Sequence, residues 1–299
     1  MSEEKFLNQL FPLLGDDANI VVGPGDDCAV YRVDNSDQLQ VIAVDQVIEG
    51  RHYTPETSPE LVGRKLLARN LSDIASMGAV PRYALISSAS SKNKSLDWLR
   101  RFHLGIVELA KEYSVAVLGG DIATTNQESV ASLTIIGEQK EEEVLTQKGI
   151  QSGDLLCATG EFGNSFLSQH HLLFEPRMAE GRFLAVNKWA VAMTDVSDGL
   201  LKDSYKLCRQ NNLGLEFYRS QIPLREGATW PNAYSDGEDH ELIFAVRAEK
   251  IETLKELWPF ENVNFSIIGR FNSSQKITDE VNNNLTNDNN LGFDHLKDV

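Results

Sequence analysis

Residues 58–79 read SPELVGRKLLARNLSDIASMGA, and this stretch decides the first half of the fold. Its apolar residues recur at spacings of three and four, which predicts a helix with one apolar face. Ser58 followed by Pro59 is typical of a helix start, and Gly78 is typical of a helix end. Asp73 lies inside this helix, where an aspartate has poor propensity and caps nothing. A ligand contact and a structural role are both open for Asp73 at this point.

Outward from this helix, strand-like and helix-like segments alternate along both halves of the chain. This alternation predicts an α/β (α+β) fold with two domains, residues 1–143 and 144–299, separated at the polar, acidic stretch 138–143. The predicted strands are 40–44, 83–88, a short buried strand at 115–118, 130–137, 154–158, 190–194, 215–218, 242–246 and 265–268. The other predicted helices are 96–113, 163–173, 177–188 and 198–211, and residues 272–290 are predicted to form a long polar loop.

The composition excludes several classes of protein. The formal net charge of −16 argues against nucleic-acid binding, because nothing in the sequence offsets the repulsion of a phosphate backbone. No apolar run approaches the ~18 residues of a membrane span, and the acidic N-terminus argues against a signal peptide. Three cysteines far apart exclude a disulfide framework and fit the cytoplasm. The acidity would repel a free nucleotide as well, unless cations such as Mg²⁺ intervene; acidity that serves only solubility is the simpler interpretation.

Aspartates follow several apolar segments. Three apolar runs, which end near residues 44, 118 and 194, lead into Asp45, Asp121 and Asp195, and ligands bind at strand ends in α/β proteins. Further aspartates lie in GDD (25–27) and SDG (197–199). Each motif taken alone can also be a turn or a helix cap. Acidic ligands without His or Cys suit Mg²⁺ or Mn²⁺, and several such ions can bridge a triphosphate. The motifs of P-loop enzymes, dinucleotide-binding folds and protein kinases are absent.

The order of these motifs resembles the thiamine-monophosphate kinase family of the aminoimidazole-ribonucleotide-synthetase superfamily. The resemblance extends from residue 25 to residue 295, and NLSDIASMGA and the terminal GFDH are its most specific parts. The motifs are GDDCAV (25–30), VDQVIEGRHY (44–53), NLSDIASMGA (70–79), LGGD (118–121), TDVSDGL (194–200), GEDHEL (237–242) and GFDH (292–295).

The resemblance implies a fold, a reaction and a set of site residues. It implies two α/β domains and a homodimer whose N-terminal strands form a shared barrel. The reaction would transfer the γ-phosphoryl group of ATP to thiamine monophosphate, giving thiamine diphosphate, with several Mg²⁺ ions and no catalytic base. The implied magnesium ligands are Asp27, Asp45, Asp73, Asp121, Asp195 and Asp198. The implied nucleotide contacts are Gly120, Asp121 and Ser197, and the implied thiamine contacts are His52, Glu238 and Phe293.

The sequence departs from the family pattern at several positions. Val44 occupies a position where the family usually has threonine, and Gln147 aligns with an expected arginine. The motif around Glu238 carries Asp236 and His240 as variations, and the segment between residues 160 and 176 is short. These departures affect the expected geometry of the ATP and thiamine pockets more than the carboxylate set.

Two other functions stay open on the sequence alone. One is another ATP-dependent synthetase of the same superfamily that acts on a ribonucleotide. Relatives that act on selenide or a carbamoyl carrier are disfavoured, because no reactive cysteine lies in the N-terminal glycine-rich segment or at the C-terminus. The other is a homologue that binds nucleotide or metal without turnover, which the residues Val44 and Gln147 motivate.

Overall fold

The computed structural model describes residues 3–281, 283–285, 292–294 and 296. These residues form two six-stranded sheets, each accompanied by helices, as the α/β prediction requires. The helices are α1 Glu3–Leu10, α2 Pro59–Ser76, α3 Leu96–Glu112, α4 His170–Leu173, α5 Met178–Val186, α6 Leu200–Gln210, α7 Trp230–Ser235 and α8 Ile251–Leu257. In the described part of the chain, no helix is both long and apolar enough to cross a membrane.

The first sheet has the strand order β1-β2-β3-β6-β4-β5. Every neighbouring pair is antiparallel except β4 and β5. Helix α2 covers one face of this sheet, and α3 packs on α2. The strands are β1 Ile20–Val22, β2 Ala29–Arg32, β3 Gln38–Ile48, β4 Val80–Ser91, β5 Ala116–Thr125 and β6 Val130–Lys140.

The second sheet has the order β12-β9-β11-β7-β10-β8, and only β12 and β9 run parallel. Two hydrophobic clusters enclose its strands. The strands are β7 Leu155–Thr159, β8 Ala190–Asp195, β9 Gly214–Phe217, β10 Leu242–Val246, β11 Phe265–Asn272 and β12 Ile277–Asp279.

Helix α2 connects the two halves of the molecule. It packs against β3, β6 and α3 on one side and against α4, α5 and β8 on the other, so that both halves bury it. Its crossing with α3 is close because two glycines face each other. A Cβ at Gly63 would lie 2.0 Å from the Phe102 carbonyl oxygen, and one at Gly105 would lie 2.0 Å from the Glu60 carbonyl oxygen. Any larger residue at either position would force the two helices apart.

Three of the predicted elements are wrong. Residues 115–118 are not a short buried strand, because β5 extends to Thr125 and forms a largely exposed sheet edge. Only His170–Leu173 is helical within the predicted helix 163–173. Gln169, just before it, has a left-handed backbone conformation with φ of 62°, which a continuous α-helix does not contain. Part of the predicted loop 272–290 pairs with β9 as Ile277–Asp279, and residues 286–290 lie outside the described residues.

Candidate phosphoryl-transfer site

A polar stripe on α2 faces the contact between the two halves. Lys65, Arg69 and Asp73 follow one another at intervals of four residues and therefore lie on one side of the helix. Ser72 lies inside α2 rather than at its start, so it is not a helix cap. This stripe brings charges into an otherwise apolar helix, and each charge meets a partner or a neighbour across the interface.

Asp73 of this stripe lies close to two other predicted magnesium ligands, Asp27 and Asp195. Burial raises the pKa of Asp73 well above its usual value, and the neighbouring Asp195 and Asp45 carboxylates raise it further. Burial likewise raises the pKa of Asp27, with Asp26 and Asp195 adding to the effect. Carboxylates that repel one another in a buried site are stabilised by a cation placed between them.

Polar side chains hold two of these carboxylates in place. Asp27 Oδ1 accepts hydrogen bonds of 2.9 Å from Gln147 Nε2 and from Thr194 Oγ1. Asp195 Oδ2 accepts one of 2.5 Å from Ser72 Oγ and lies 3.1 Å from His240 Nδ1. Asp27 Oδ2 is buried and has no hydrogen-bond partner among the residues that the structure describes. A buried carboxylate oxygen without a donor fits a cation ligand.

Asp45 is paired with an arginine, so its carboxylate oxygens are already occupied by hydrogen bonds. It lies within β3, not at the strand end that the sequence predicted, and it points to the α2 side of the sheet. Arg69 donates to both of its oxygens, from Nε to Oδ2 at 2.5 Å and from Nη2 to Oδ1 at 3.0 Å. A metal ion on Asp45 would therefore compete with Arg69 for the carboxylate oxygens.

Asp198 stands in a separate basic setting. Gly199, not Asp198, is the cap residue of α6, and Asp198 Oδ2 lies 2.9 Å from Lys202 Nζ and 3.0 Å from Lys206 Nζ. Burial opposes ionisation of this carboxyl, but the Lys206 and Lys202 ammonium groups outweigh it and lower the pKa of Asp198 to about 2. Ser197 adjoins it, and its carbonyl oxygen accepts a 2.8 Å hydrogen bond from the Glu238 backbone N–H.

Gly120 and Asp121 lie away from the other predicted ligands. Asp121 is exposed and lies within β5, not at a strand end. Across the sheet it pairs with Ser87 of β4, Ser87 pairs with Ser132 of β6, and Ser132 pairs with Gln46 of β3. Paired residues share a sheet face, so Asp121 lies on the face opposite to Asp45, three strand spacings or about 14 Å from Gln46.

The strand at Gly120 has room for glycine only. Its φ is +156°, and a Cβ there would lie 1.7 Å from the carbonyl oxygen of Ile86 in β4. The close approach of β4 and β5 at this point explains why the sequence has a glycine here.

The predicted thiamine contacts lie on both sides of α2. Glu238 Oε2 lies 2.8 Å from Lys65 Nζ, and Glu238 Oε1 lies 3.1 Å from Arg69 Nη1. Burial opposes ionisation of Glu238, but the adjacent His171 ring and the Lys65 and Arg69 cations hold its pKa well below the usual range. Glu238 is therefore a half-buried carboxylate that joins the second half of the chain to α2.

His52 is buried on the first-domain side of the same network. Its Nδ1 accepts a 3.0 Å hydrogen bond from the Ile48 N–H, and its carbonyl oxygen accepts one of 2.6 Å from Lys65 Nζ. Burial and the nearby Arg69 charge lower the pKa of His52 to about 4. His52 is thus a neutral imidazole at pH 7 that accepts at Nδ1.

Phe293 is half-exposed and is attached to the Asp198 loop. Its backbone N–H donates a 2.9 Å hydrogen bond to the Asp198 carbonyl oxygen, and its own carbonyl oxygen accepts from Lys202 Nζ. A Cβ at Gly292 would lie 2.4 Å from that Asp198 oxygen, so the preceding glycine permits this approach. The last residue of the GFDH motif, His295, lies outside the described residues.

Sequence reasoning missed the partners of the carboxylates. Lys65 is fully buried and lies 2.8 Å from Glu238 Oε2 and 2.9 Å from His171 Nδ1. Arg69 joins Asp45 to Glu238. A signal was present for both: charged residues at four-residue intervals interrupt the apolar pattern of a helix that is otherwise buried. In the conformation of the described residues, no three His, Cys, Asp or Glu side chains form a ready-made metal site.

Comparisons with known proteins agree over most of the chain. The family described as AIR synthase related protein matches with its N-terminal domain at residues 25–139 and its C-terminal domain at residues 142–282. A thiamine-monophosphate kinase of Buchnera aphidicola (subsp. Acyrthosiphon pisum) is 31% identical over 282 residues, 85% of each chain. One of Rhodopirellula baltica is 35% identical over 265 residues, 83% of each chain.

Solved structures share the fold. AaThiL complexed with AMPPCP and TMP superposes with a TM-score of 0.81 at 23% identity and 93% coverage of both chains. The thiamine-monophosphate kinase of Stenotrophomonas maltophilia K279a gives 0.75 at 26% identity, over 91% of this chain and 94% of the other. The E. coli hydrogenase maturation protein HypE gives 0.71 at 14% identity, over 95% and 96% of the two chains, which shows that the fold serves more than one function.

Proposed function

We infer that the chain, which belongs to the thiamine-monophosphate kinase family of AIR synthase related proteins, phosphorylates thiamine monophosphate to thiamine diphosphate with ATP. Two observations together support this function. The chain belongs to the family, and Asp73 is a mid-helix carboxylate that lies close to Asp27 and Asp195. A structure of a related fold holds AMPPCP and TMP together, which matches the two substrates of such a reaction.

The transfer itself requires positioning more than acid–base chemistry. A phosphate oxygen of thiamine monophosphate forms a bond to the γ-phosphorus of ATP, and the bond from that phosphorus to the β,γ-bridging oxygen breaks and leaves ADP. The acceptor oxygen is already ionised at neutral pH, so no base has to remove a proton. Alignment of the two substrates and neutralisation of their charges supply the rate.

Mg²⁺ fits the carboxylates that the structure brings together. Asp27, Asp73 and Asp195 would hold such ions, because Asp27 Oδ2 has no donor within the described part of the chain and burial disfavours the negative charge of Asp27 and Asp73. Asp45 and Asp198 would join them on release from their basic partners, and Asp121 is proposed as a further ligand. When bound, Mg²⁺ neutralises the phosphate oxygens between which the phosphoryl group moves.

The remaining predicted residues have proposed contacts with substrate. Gly120, Asp121 and Ser197 are proposed to touch the nucleotide; the family motifs support this, and Gly120 and Asp121 lie on the exposed edge strand β5. His52, Glu238 and Phe293 are proposed to contact thiamine monophosphate. A half-exposed phenyl ring such as that of Phe293 can stack on a flat cationic heterocycle.

A homodimer is proposed through the outer face of the first sheet. Val44, Leu85 and Tyr83 point away from α2 on this face and are 67%, 42% and 46% exposed. Apolar side chains that share one sheet face in this way are typical of a surface covered by a partner. Pairing of two such faces would also bring the Asp121 face of one chain toward that of the other.

The proposed setting is the cytoplasm. All three cysteines, Cys28, Cys157 and Cys208, are buried and free, which fits a reducing compartment. Burial raises the pKa of each of these thiols, so none of them is a reactive thiolate at neutral pH.

An ADP-release assay with thiamine monophosphate tests the function. The wild-type chain should form ADP only with thiamine monophosphate and Mg²⁺ present, and Asp73→Asn should lose at least ~100-fold in turnover, about 2.7 kcal/mol of transition-state stabilisation. Asp97→Asn, a matched change on the exposed side of α3, should keep wild-type turnover. Full activity of Asp73→Asn would contradict the metal role, and a folded wild-type chain without turnover at millimolar Mg²⁺ would contradict the function.

A further inference from the structure

Arg69 uses its whole guanidinium group on carboxylates from both halves of the chain. Its Nε and Nη2 form a fork on Asp45, at 2.5 and 3.0 Å, and its Nη1 lies 3.1 Å from Glu238 Oε1. The side chain is 11% exposed. Arg69 therefore lies between a proposed magnesium ligand and a proposed thiamine contact, at the position where the metal site and the acceptor site meet.

A metal ion on Asp45 would compete with the Arg69 fork for the same two carboxylate oxygens. Once a cation takes Asp45, the Nε–H and Nη2–H groups of Arg69 lose both acceptors, while Glu238 still holds Nη1. A guanidinium this buried cannot turn fully into water, and leaving its donors unpaired is costly. It requires a replacement anion at the same place.

A phosphate monoester matches this requirement. Two of its oxygens accept the parallel N–H groups of a guanidinium in the way that the two carboxylate oxygens of Asp45 do. The contact of Arg69 Nη1 with Glu238 fixes the direction from which the anion arrives, since Glu238 is on the proposed thiamine side. Asp73, one of the carboxylates proposed to hold Mg²⁺ for the nucleotide, follows Arg69 by one helical turn and is close enough to interact with its charge.

We propose that Arg69 binds the phosphate group of thiamine monophosphate and holds the acceptor oxygen toward the nucleotide. This inference rests on the proposed function and adds a residue to it. In the ligand-free chain, Asp45 takes the place of that phosphate and keeps the guanidinium paired. Arg69 is thus a substrate-binding residue that distinguishes the phosphorylated from the unphosphorylated vitamin.

The test compares two ligands that differ by one phosphate. Titration calorimetry measures the binding of thiamine monophosphate and of thiamine, in Mg²⁺ and a non-hydrolysable ATP analogue, so that no turnover occurs. Arg69→Met should weaken thiamine monophosphate about 10- to 100-fold and change thiamine by less than about twofold. Arg69→Lys keeps a charge beside Asp45 but has no fork, so its affinity for thiamine monophosphate should lie between those of the wild type and Arg69→Met. It replaces Arg69→Met in the test if that variant does not fold.

Arg64→Met is the control on the same helix. It removes an arginine that is paired with Glu175, 2.6 Å away, and should leave both ligands at wild-type affinity. Equal losses for thiamine and thiamine monophosphate would overturn the proposal and reduce Arg69 to a support for Asp45 and Glu238. A loss of affinity confined to the ATP analogue, titrated separately in Mg²⁺, would overturn it in favour of a nucleotide contact, and unchanged affinities would overturn it outright.

The proposed function fails separately from this inference. Wild-type protein without ADP formation on thiamine monophosphate contradicts the kinase activity. Wild-type turnover together with an Arg69→Met variant of unchanged ligand preference contradicts only the role of Arg69.

Discussion

Lys65→Met should be among the most destabilising single substitutions in this chain. Lys65 is fully buried, yet its ammonium group donates to Glu238 Oε2 at 2.8 Å and to the His52 carbonyl oxygen at 2.6 Å, and it lies 2.9 Å from His171 Nδ1. Methionine fills the same space but leaves the Glu238 carboxylate with less compensation. Removing one partner of a buried ion pair costs about 3–5 kcal/mol, and Arg69 limits the loss to the lower end of that range.

Urea unfolding at pH 7 measures this loss, and a double-mutant cycle assigns it to the ion pair. Glu238→Gln removes the carboxylate charge, so the double variant with Lys65→Met should lose at least about 1 kcal/mol less than the sum of the two single losses. Lys140→Met, on a half-exposed lysine 3.9 Å from Glu143, should change the free energy of unfolding by less than about 0.5 kcal/mol. Additive single losses, or a Lys65→Met loss below about 1 kcal/mol, would refute the reasoning.

The same lysine predicts a pH dependence. Burial lowers the pKa of Lys65 to about 8, below its value of 10.5 in the unfolded chain. Between these two values the unfolded chain binds more protons than the folded one, so the free energy of unfolding rises with pH in this window. Lys65→Met should remove that part of the rise, which subtraction of the two stability profiles between pH 7.5 and 10.5 measures. Identical slopes in the two proteins would contradict the shifted pKa.

Three further outcomes are expected. Gln147→Met removes three side-chain hydrogen bonds, including the one to Asp27, and should lower the free energy of unfolding in urea by about 2–3 kcal/mol. It should also raise the Mg²⁺ concentration for half-maximal turnover, and an unchanged Mg²⁺ requirement would count against a role of Gln147 in positioning Asp27. NMR titration of His52 should give a midpoint near pH 4 and lower stability as the pH falls from 6.5 to 4, because only the unfolded chain takes up that proton; a midpoint above about 6 would be inconsistent. Leu85→Asp should convert the proposed dimer to folded monomers in sedimentation, and an unaltered mass would exclude this face as the interface.

The elements with a clear apolar period could be predicted from the sequence. The sequence predicts that the helix after Ser58 ends near Gly78, and α2 ends at Ser76. Some short or interrupted elements could not be predicted. The strand β12, only three residues long, owes its existence to pairing with β9, and this contact lies about 60 residues away in the chain. Tertiary pairing of this kind leaves no periodic signal in a single sequence.

The carboxylates of the site were visible in the sequence, but their partners were not. A strand that ends in aspartate marks Asp195 directly, whereas Asp45 lies inside a strand that continues beyond it. The fork of Arg69 on Asp45 joins residues 24 apart, and the bond from Gln147 to Asp27 joins residues 120 apart. Which aspartate is free to bind a cation depends on these long-range contacts. The acidic residues could therefore be predicted from the sequence, but not which of them are already paired with another side chain.

Gln147 is a neutral side chain that forms part of the hydrogen-bond network around Asp27. Gln147 is buried, donates from Nε2 to Asp27 Oδ1, and accepts at Oε1 a 2.6 Å hydrogen bond from Gln210 Nε2. An arginine at this position, which the family resemblance leads one to expect, has no acceptor and could not take the hydrogen bond from Gln210. The network around Asp27 therefore requires a side chain that both donates and accepts, as an amide does. The guanidinium that we propose for phosphate binding is instead that of Arg69, which forks on Asp45 and contacts Glu238.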